Sequence, residues 1–190
     1  MTANQNIANV TKLGYVGRKP ATNRNSDSWF TPKVYLDSAH KVLDGITLDP
    51  FSDSKANEIV GAAHFFDERA DGLTQNWNLD KKTTVFMNPP YSAGMVKKCC
   101  SRFIEAWHKN EISAGIILVN NATETKWFQH LLLEANAVCF TNHRISFWNS
   151  DGKVVSNNTR GQSFFYFGTE VGNFKGVFST HGFCQELTNG

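Results

Sequence analysis

The chain has 190 residues, of which 41% are hydrophobic and 19% are charged, as in ordinary globular proteins. The net charge of +2 permits a nucleic-acid partner without requiring one, because proteins that coat a duplex are normally far more basic. The sequence contains no run of about 18 apolar residues and no apolar signal-peptide core. We therefore expect a cytoplasmic protein without a membrane segment.

The chain is predicted to form an N-terminal arm and one domain. Residues 1–28 are rich in Asn, Thr and Gly and lack periodicity, which predicts a loosely ordered arm before a domain over residues 29–190. The cysteines lack the spacing of metal ligands, so we predict reduced thiols and no metal site. They are Cys99, Cys100, Cys139 and Cys184.

The domain opens with a predicted helix after the sequence WFTP. Thr31 suits the N-cap, Pro32 suits the first helical position, and the apolar residues that follow are spaced for one helical face. Those apolar residues are Val34, Leu36, Ala39, Val42 and Leu43. A short strand then ends at Asp49, and a helix over 54–63 and a strand over 64–66 follow.

Strands and helices alternate through the middle of the chain. The apolar run TTVFM predicts a buried strand at 83–87, and an amphipathic helix should follow it. That helix would turn Val96, Cys99, Cys100, Phe103 and Trp107 toward the core. Strands at 114–121 and 137–141 flank another helix, with Thr123 or Thr125 as its N-cap. This alternation favours a parallel, doubly wound sheet.

The last quarter of the chain departs from that alternation. Strand-like runs at 144–148, 163–168 and 174–179 have no predicted helix between them. We therefore predict an α/β fold: a mostly parallel central sheet with helices on both faces and antiparallel strands at one edge. The polar loop 149–162 carries the basic residues Lys153 and Arg160 and is predicted to be mobile, because loops of this length are usually functional or disordered.

The sequence VFMNPPYS places unusual chemistry after the strand at 83–87. Pro89 and Pro90 cannot lie inside a strand and should form a stiff turn beyond it. Asn88 and the Pro89 carbonyl offer two acceptors, and Tyr91 offers a flat stacking face. Such a site suits a planar group that carries an NH₂, such as a nucleobase or a carboxamide. In parallel sheets, ligands bind beyond these carboxyl ends.

A carboxylate follows the strand that ends in LDPFSD. Asp49 could lie near a cationic ligand and Phe51 could pack on that ligand, although an Asp before a proline is also a common turn residue.

These motifs resemble those of S-adenosylmethionine-dependent amino-methyltransferases. The elements WFTP, LDPFSD, FFDERADGL, VFMNPPYS and HRISFW succeed one another over residues 29–148. In this order they are similar to the small phage-encoded DNA N-6 adenine methyltransferases, often called phage Dam. Two differences stand out: SDSKAN replaces the usual Gly-x-Gly of the cofactor loop, and Asn120-Asn121 stands where the family tends to have proline.

The resemblance implies a Rossmann-like fold, S-adenosylmethionine as methyl donor and a flipped-out adenine of double-stranded DNA as acceptor. The motif residues it carries over as catalytic are Asn88, Pro89, Pro90 and Tyr91. The residues it places at the cofactor are Trp29, Thr31, Pro32, Asp49, Pro50, Phe51 and Asp71. Further candidate contacts to DNA are Ser92, Lys97, Lys98, Arg102, Arg144, Lys153 and Arg160.

Several alternatives stay open on sequence alone. Thr31 and Pro32 could simply start a helix, Asp71 could be a turn residue, and Arg144 could pair with a surface carboxylate. The acceptor could be RNA or a protein glutamine, because enzymes that act on these share the Asn-Pro-Pro-Tyr motif. The chain could also be a non-catalytic DNA-binding module, because the cofactor-loop glycines are missing. The sequence leaves the oligomeric state undefined.

Overall fold

A computed structural model describes residues 29–148, 153–154 and 158–188. The predicted arm lies outside the described residues, as do residues 149–152 and 155–157 of the predicted loop 149–162. The described helices are α1 Lys33–Leu43, α2 Ser54–Val60, α3 Met95–His108, α4 Lys126–Glu134 and α5 Val171–Phe178, with a 3₁₀ turn at Ser92–Gly94. The described strands are β1 Leu48–Asp49, β2 His64–Phe65, β3 Thr84–Met87, β4 Ala114–Asn120, β5 Ala137–Thr141, β6 Gln162–Phe167 and β7 Gly182–Glu186.

The seven described strands form one sheet in the order β2-β1-β3-β4-β6-β5-β7. Strands β1 to β4 pair in parallel, whereas β6 is antiparallel to both β4 and β5, and β7 is antiparallel to β5. Strands β1 to β5 therefore point the same way, and β6 and β7 run against them. The antiparallel pairing predicted for one side of the sheet is confirmed, although β6 is inserted between β4 and β5.

Alternating residues of each strand pack into two separate cores, one on each face of the sheet. Phe86, Ile116 and Phe164 face the core that α1 and α5 cover. Val85 and Ile117 face the core that α3 and α4 cover. Helices thus lie on both faces, which confirms the predicted α/β, Rossmann-like architecture. No described helix has the length and hydropathy to cross a bilayer.

The structure corrects the prediction for the last quarter of the chain. The run 174–179 belongs to helix α5, because Phe174 and Phe178 lie four residues apart and pack on the same core. The run 144–148 forms no strand; its only β-type pairings among the described residues are isolated bridges from Trp148 to Phe30 and to Val154. The predictions missed β7.

The first helix begins differently from its prediction. Pro32 occupies the N-cap position and no side chain caps the helix, so Thr31 is not the N-cap. Val34 is exposed, and Tyr35 replaces it on the buried face. At α4, the N-cap is Thr125, whose hydroxyl accepts from the Phe128 N–H at 3.4 Å.

Arg102 lies in a structural ion pair, so its prediction as a DNA contact is wrong. Its side chain is only 11% exposed and pairs with Glu111. The guanidinium also donates to the Gln75 carbonyl at 2.9 Å and lies 4.7 Å from the centre of the Trp77 ring. Glu111 in turn accepts from the Trp77 N–H at 3.1 Å. The pair fastens α3 to the loop before β3.

Replacing Glu111 with Ala should destabilise the protein by about 3 kcal/mol, because it leaves the Arg102 charge poorly solvated and unpaired. Chemical denaturation measures this change. The matched control is Glu105→Ala, which removes a pair between Glu105 and Lys109 on the same helix whose side chains are 50% and 61% exposed. That control should stay close to wild type, and equal losses in the two variants would contradict the structural role of Arg102.

Candidate active site

Three adjacent strands, β1, β3 and β4, bring polar residues to one edge of the sheet. Asp49 ends β1, Asn88 follows β3 and Asn120 ends β4. Two cavities open beside these ends, one of about 520 Å³ and one of about 290 Å³. Trp29 and Asn88 line both cavities, so the cavities meet at these two residues.

The larger cavity is rich in acidic residues. Its described lining contains no Lys, Arg or His but includes the carboxylates Asp49, Asp53, Asp67, Glu68 and Asp71. Asp53 also caps α2, and Asp67 also accepts from the Arg69 N–H. A volume of about 520 Å³ suits a small molecule. The charge of the wall favours a ligand with cationic groups.

Burial changes the protonation of Asp49. The residue is 5% exposed, and this burial raises the pKa of its carboxyl to about 7, while a 3.3 Å hydrogen bond from the Phe51 N–H opposes the rise. Below pH 7 the ligand-free carboxyl is mostly neutral. A nearby cation would favour the ionised form, so cation binding and proton loss are coupled at this residue.

The backbone at Gly72 packs closely against the loop that follows Asp49. A Cβ at Gly72 would lie 1.9 Å from the Pro50 carbonyl oxygen, so only glycine fits between this loop and the segment after β2. The Gly72 carbonyl accepts from the buried Trp77 indole at 2.9 Å, which fixes the segment further. Gly72 thus permits a close approach at the loop that lacks Gly-x-Gly.

Asp71 is a turn residue at the rim of the larger cavity. Its φ is +53°, and its side chain accepts from the Leu73 N–H at 3.2 Å. The turn predicted as one alternative is therefore confirmed, and Asp71 also lines the larger cavity.

The orientation of the Asn88 amide is fixed by a main-chain group. Its nitrogen donates to the Trp29 carbonyl at 3.2 Å and to the Thr31 hydroxyl at 3.4 Å. A main-chain carbonyl can only accept, so the amide nitrogen must face it. The Asn88 oxygen is therefore turned away as an acceptor for another group. Thr31, which is 4% exposed, serves this site instead of capping α1.

Tyr91 forms a wall of the smaller cavity. The residue is 36% exposed, and its hydroxyl accepts from the Asn120 N–H at 2.6 Å. The sequence pointed to the ring face as a stacking surface. The structure adds that the hydroxyl fixes the ring to the end of β4.

Other candidate residues are divided between the two cavities. Ser92 and Pro90 line the larger cavity, and Pro89 and Arg160 line the smaller one. Arg144 and Lys153 are exposed and line neither. Pro32 and Pro50 line neither cavity. Residues that the sequence did not assign to the smaller cavity are Asn120, Phe147, Asn158 and Thr159; only Asn120 carried a detectable feature, a polar side chain at a strand end.

Among the described residues, no group of three or more His, Cys, Asp or Glu is placed to hold a metal ion. The four cysteines are free thiols; three are buried and Cys184 is half-buried.

Gly72→Ala should destabilise the fold by about 1–3 kcal/mol, because the added methyl overlaps a main-chain oxygen and forces the loops apart. Gly176→Ala is the matched control, because Gly176 lies inside α5 with no atom within 4 Å of the added Cβ. Thermal or chemical denaturation should show that control unchanged or stabilised by about 0.5–1 kcal/mol. A Gly72→Ala variant as stable as wild type would contradict the close approach.

Two comparisons with known proteins bear on the family of this chain. A search of curated proteins finds no match. The family model for DNA N-6-adenine-methyltransferase (Dam) matches residues 19–182, which is most of the chain. That family acts on adenine in DNA. The chain therefore belongs to the DNA N-6-adenine-methyltransferase (Dam) family.

Proposed function

We propose that this protein transfers a methyl group from S-adenosylmethionine to the exocyclic amine of an adenine flipped out of double-stranded DNA. The observation that carries the proposal is the position of Asn88 between two cavities of different character. Its amide oxygen is held as an acceptor by the Trp29 carbonyl. Donor and acceptor would occupy separate cavities and meet at this residue.

The larger cavity fits the methyl donor. S-adenosylmethionine, when bound, supplies an electrophilic methyl group on a positively charged sulfur. The residues that would hold it are Asp49, Phe51 and Asp71, with Trp29 on the side toward the smaller cavity. The ionised Asp49 carboxyl would lie near cationic groups of the ligand. The fit is supported by the acidic wall and by the close approach of Gly72 to Pro50.

The smaller cavity fits the base. The Asn88 oxygen and the Pro89 carbonyl would accept from the two amine protons, which turns the nitrogen lone pair toward the methyl group. Nitrogen–carbon bond formation then accompanies carbon–sulfur cleavage, and the amine gives up one proton to solvent. Tyr91 would stack on the base. This stacking would contribute about 1–3 kcal/mol and offset part of the free energy needed to remove the base from the duplex.

DNA contacts would come from the rim of the smaller cavity. Arg160 lines this cavity and is exposed, so its guanidinium would bind a phosphate near the flipped nucleotide. Arg144 and Lys153 are exposed candidates outside the cavities. We propose that sequence preference arises in loops around residues 149–162, half of which lie outside the described residues.

One observation favours the catalytic hypothesis over a non-catalytic DNA-binding module. The module was suggested by the missing Gly-x-Gly, whose role is close backbone approach. Gly72 lets the segment after β2 pack closely against the loop that carries Pro50 and Phe51. The acidic cavity therefore retains a tightly packed floor despite the change in the motif.

Asn88→Ala should reduce adenine methylation to near background, because the amine loses the acceptor that orients it. Methyl transfer from radiolabelled S-adenosylmethionine to DNA measures this loss, and calorimetry should show cofactor affinity close to wild type. Asn88→Asp should keep only a small part of the activity, because a carboxylate still offers an acceptor to the amine but places its other oxygen against the Trp29 carbonyl. Parallel assays with RNA and protein test the other acceptors. A fully active Asn88→Ala variant would contradict the role of the amide.

Cofactor affinity should rise about tenfold between pH 6 and pH 8, because Asp49 must be ionised to favour a cation and its ligand-free pKa is about 7. Asp49→Asn removes the titrating group, so its affinity should be weaker at pH 8 and should lose this pH dependence. Calorimetry at several pH values measures both proteins. A wild-type and a variant profile with the same slope would contradict the assignment.

The stability of the ligand-free protein provides an independent check on Asp49. Because its folded pKa lies above its unfolded value, the native state binds more protons between about pH 4 and 7. Stability from this group is thus lost as the pH rises through that window. Asp49→Asn should flatten that fall in a denaturation series.

A further inference from the structure

We propose that Asn120 recognises the flipped base, with its side-chain nitrogen donating a hydrogen bond to a ring nitrogen that flanks the amine of adenine. The inference rests on the proposed function and deepens it, because it names a residue that reads the identity of the base. Asn120 ends β4, is half-buried and lines the smaller cavity together with Asn88 and Tyr91.

A second side-chain amide, that of Gln162, has a fixed orientation next to this cavity. Gln162 is fully buried, and its oxygen accepts from the Ile145 N–H at 2.9 Å. Its nitrogen donates to the Arg160 carbonyl at 2.8 Å. One partner can only donate and the other can only accept, so the two ends of the Gln162 amide are unambiguous.

Gln162 then fixes Asn120. The Gln162 nitrogen also donates to the Asn120 side chain at 3.1 Å, and the atom that accepts must be the Asn120 oxygen. The Asn120 nitrogen is therefore the end turned away from Gln162. Within the described part of the chain it has no hydrogen-bond acceptor, and its residue faces a cavity. A donor is thus held in place by main-chain groups of residues 145 and 160.

The smaller cavity consequently presents an acceptor at Asn88 and a donor at Asn120. Adenine offers the complementary pair on either edge, since its amine donates and both N1 and N7 accept. Thymine and guanine carry an oxygen where adenine carries its amine, so they would oppose the Asn88 acceptor. The two oriented amides therefore favour bases with an amine beside a ring acceptor.

The main-chain N–H of Asn120 makes a separate hydrogen bond that side-chain substitutions leave intact. Its N–H donates to the Tyr91 hydroxyl at 2.6 Å, and this bond survives any replacement except proline. Side-chain variants at position 120 thus test recognition without releasing the Tyr91 ring. Asn121 provides the matched control, because it is adjacent, lines neither cavity and bonds through its side chain to Ser163.

The first experiment compares kcat/KM for adenine methylation in duplex DNA. Asn120→Ala should lose about tenfold, because a donor is removed. Asn120→Asp should lose about a hundredfold, because it keeps the acceptor for Gln162 but presents a carboxylate oxygen to the ring nitrogen. Asn121→Ala should stay within about twofold of wild type. Cofactor affinity should be unchanged in all three variants, which checks that each is folded.

The second experiment identifies the ring nitrogen. Duplexes carry 1-deaza-, 7-deaza- or 3-deazaadenine at the target position, and the activity ratio of wild type to Asn120→Ala is measured on each. The ratio cancels differences in the intrinsic reactivity of the amine. It should fall from about ten to about one on either the 1-deaza or the 7-deaza substrate, and stay near ten on the 3-deaza substrate.

The outcomes separate the two proposals. If wild type methylates adenine and Asn88→Ala does not, but Asn120 variants match Asn121→Ala, the recognition role of Asn120 is wrong and the proposed function stands. An activity ratio that is equal on all three analogues would also overturn the recognition role alone. If wild type does not methylate adenine in DNA, both proposals fall together.

Discussion

The site depends on one hydrogen bond, from the Asn88 amide to the main-chain carbonyl of Trp29. It joins the segment before α1 to the turn after β3, and it decides which end of the amide is offered to a ligand. The Trp29 segment is itself tied down, because Phe30 exchanges main-chain bonds of 2.8 and 3.1 Å with Trp148 and the Trp29 ring packs edge-on against Phe147. The boundary between the two cavities is therefore only as rigid as the 29–32 and 147–148 segments.

The two cavities differ in the charge of the residues that line them. Carboxylates line the larger one, whereas the charged residue in the described lining of the smaller one is Arg160. A cationic cofactor and an anionic nucleic acid would thus be drawn to different sides of Asn88. The acidic side carries a stability cost, since burial opposes ionisation of Asp49 in the ligand-free protein. Ionised Asp49 therefore destabilises the ligand-free fold, and a bound cation would offset that loss of stability.

The sequence predicted the parts of the fold that depend on local pattern. Buried β-branched runs marked β3 and β4, and the Asn-Pro-Pro turn after β3 marked the site, because prolines must lie beyond the strand. Local pattern failed where tertiary packing decides: the Phe-rich run 174–179 satisfies a strand and a helix equally, and packing on α1 selects the helix. The role of Arg102 was also hidden, because its partner Glu111 follows α3 and contributes no periodic pattern.

A motif states which groups are present, but the chemistry here depends on how amides are turned. Asn88 is turned by residue 29, and Asn120 is turned through Gln162 by residues 145 and 160. Each of these main-chain partners is at least 25 positions away from the amide it turns, so the local sequence Asn-Pro-Pro-Tyr could not reveal them. In the same way, a glycine after β2 can support a loop whose own glycines are missing. Close approach is a property of two backbone segments in contact, and either segment can supply the glycine.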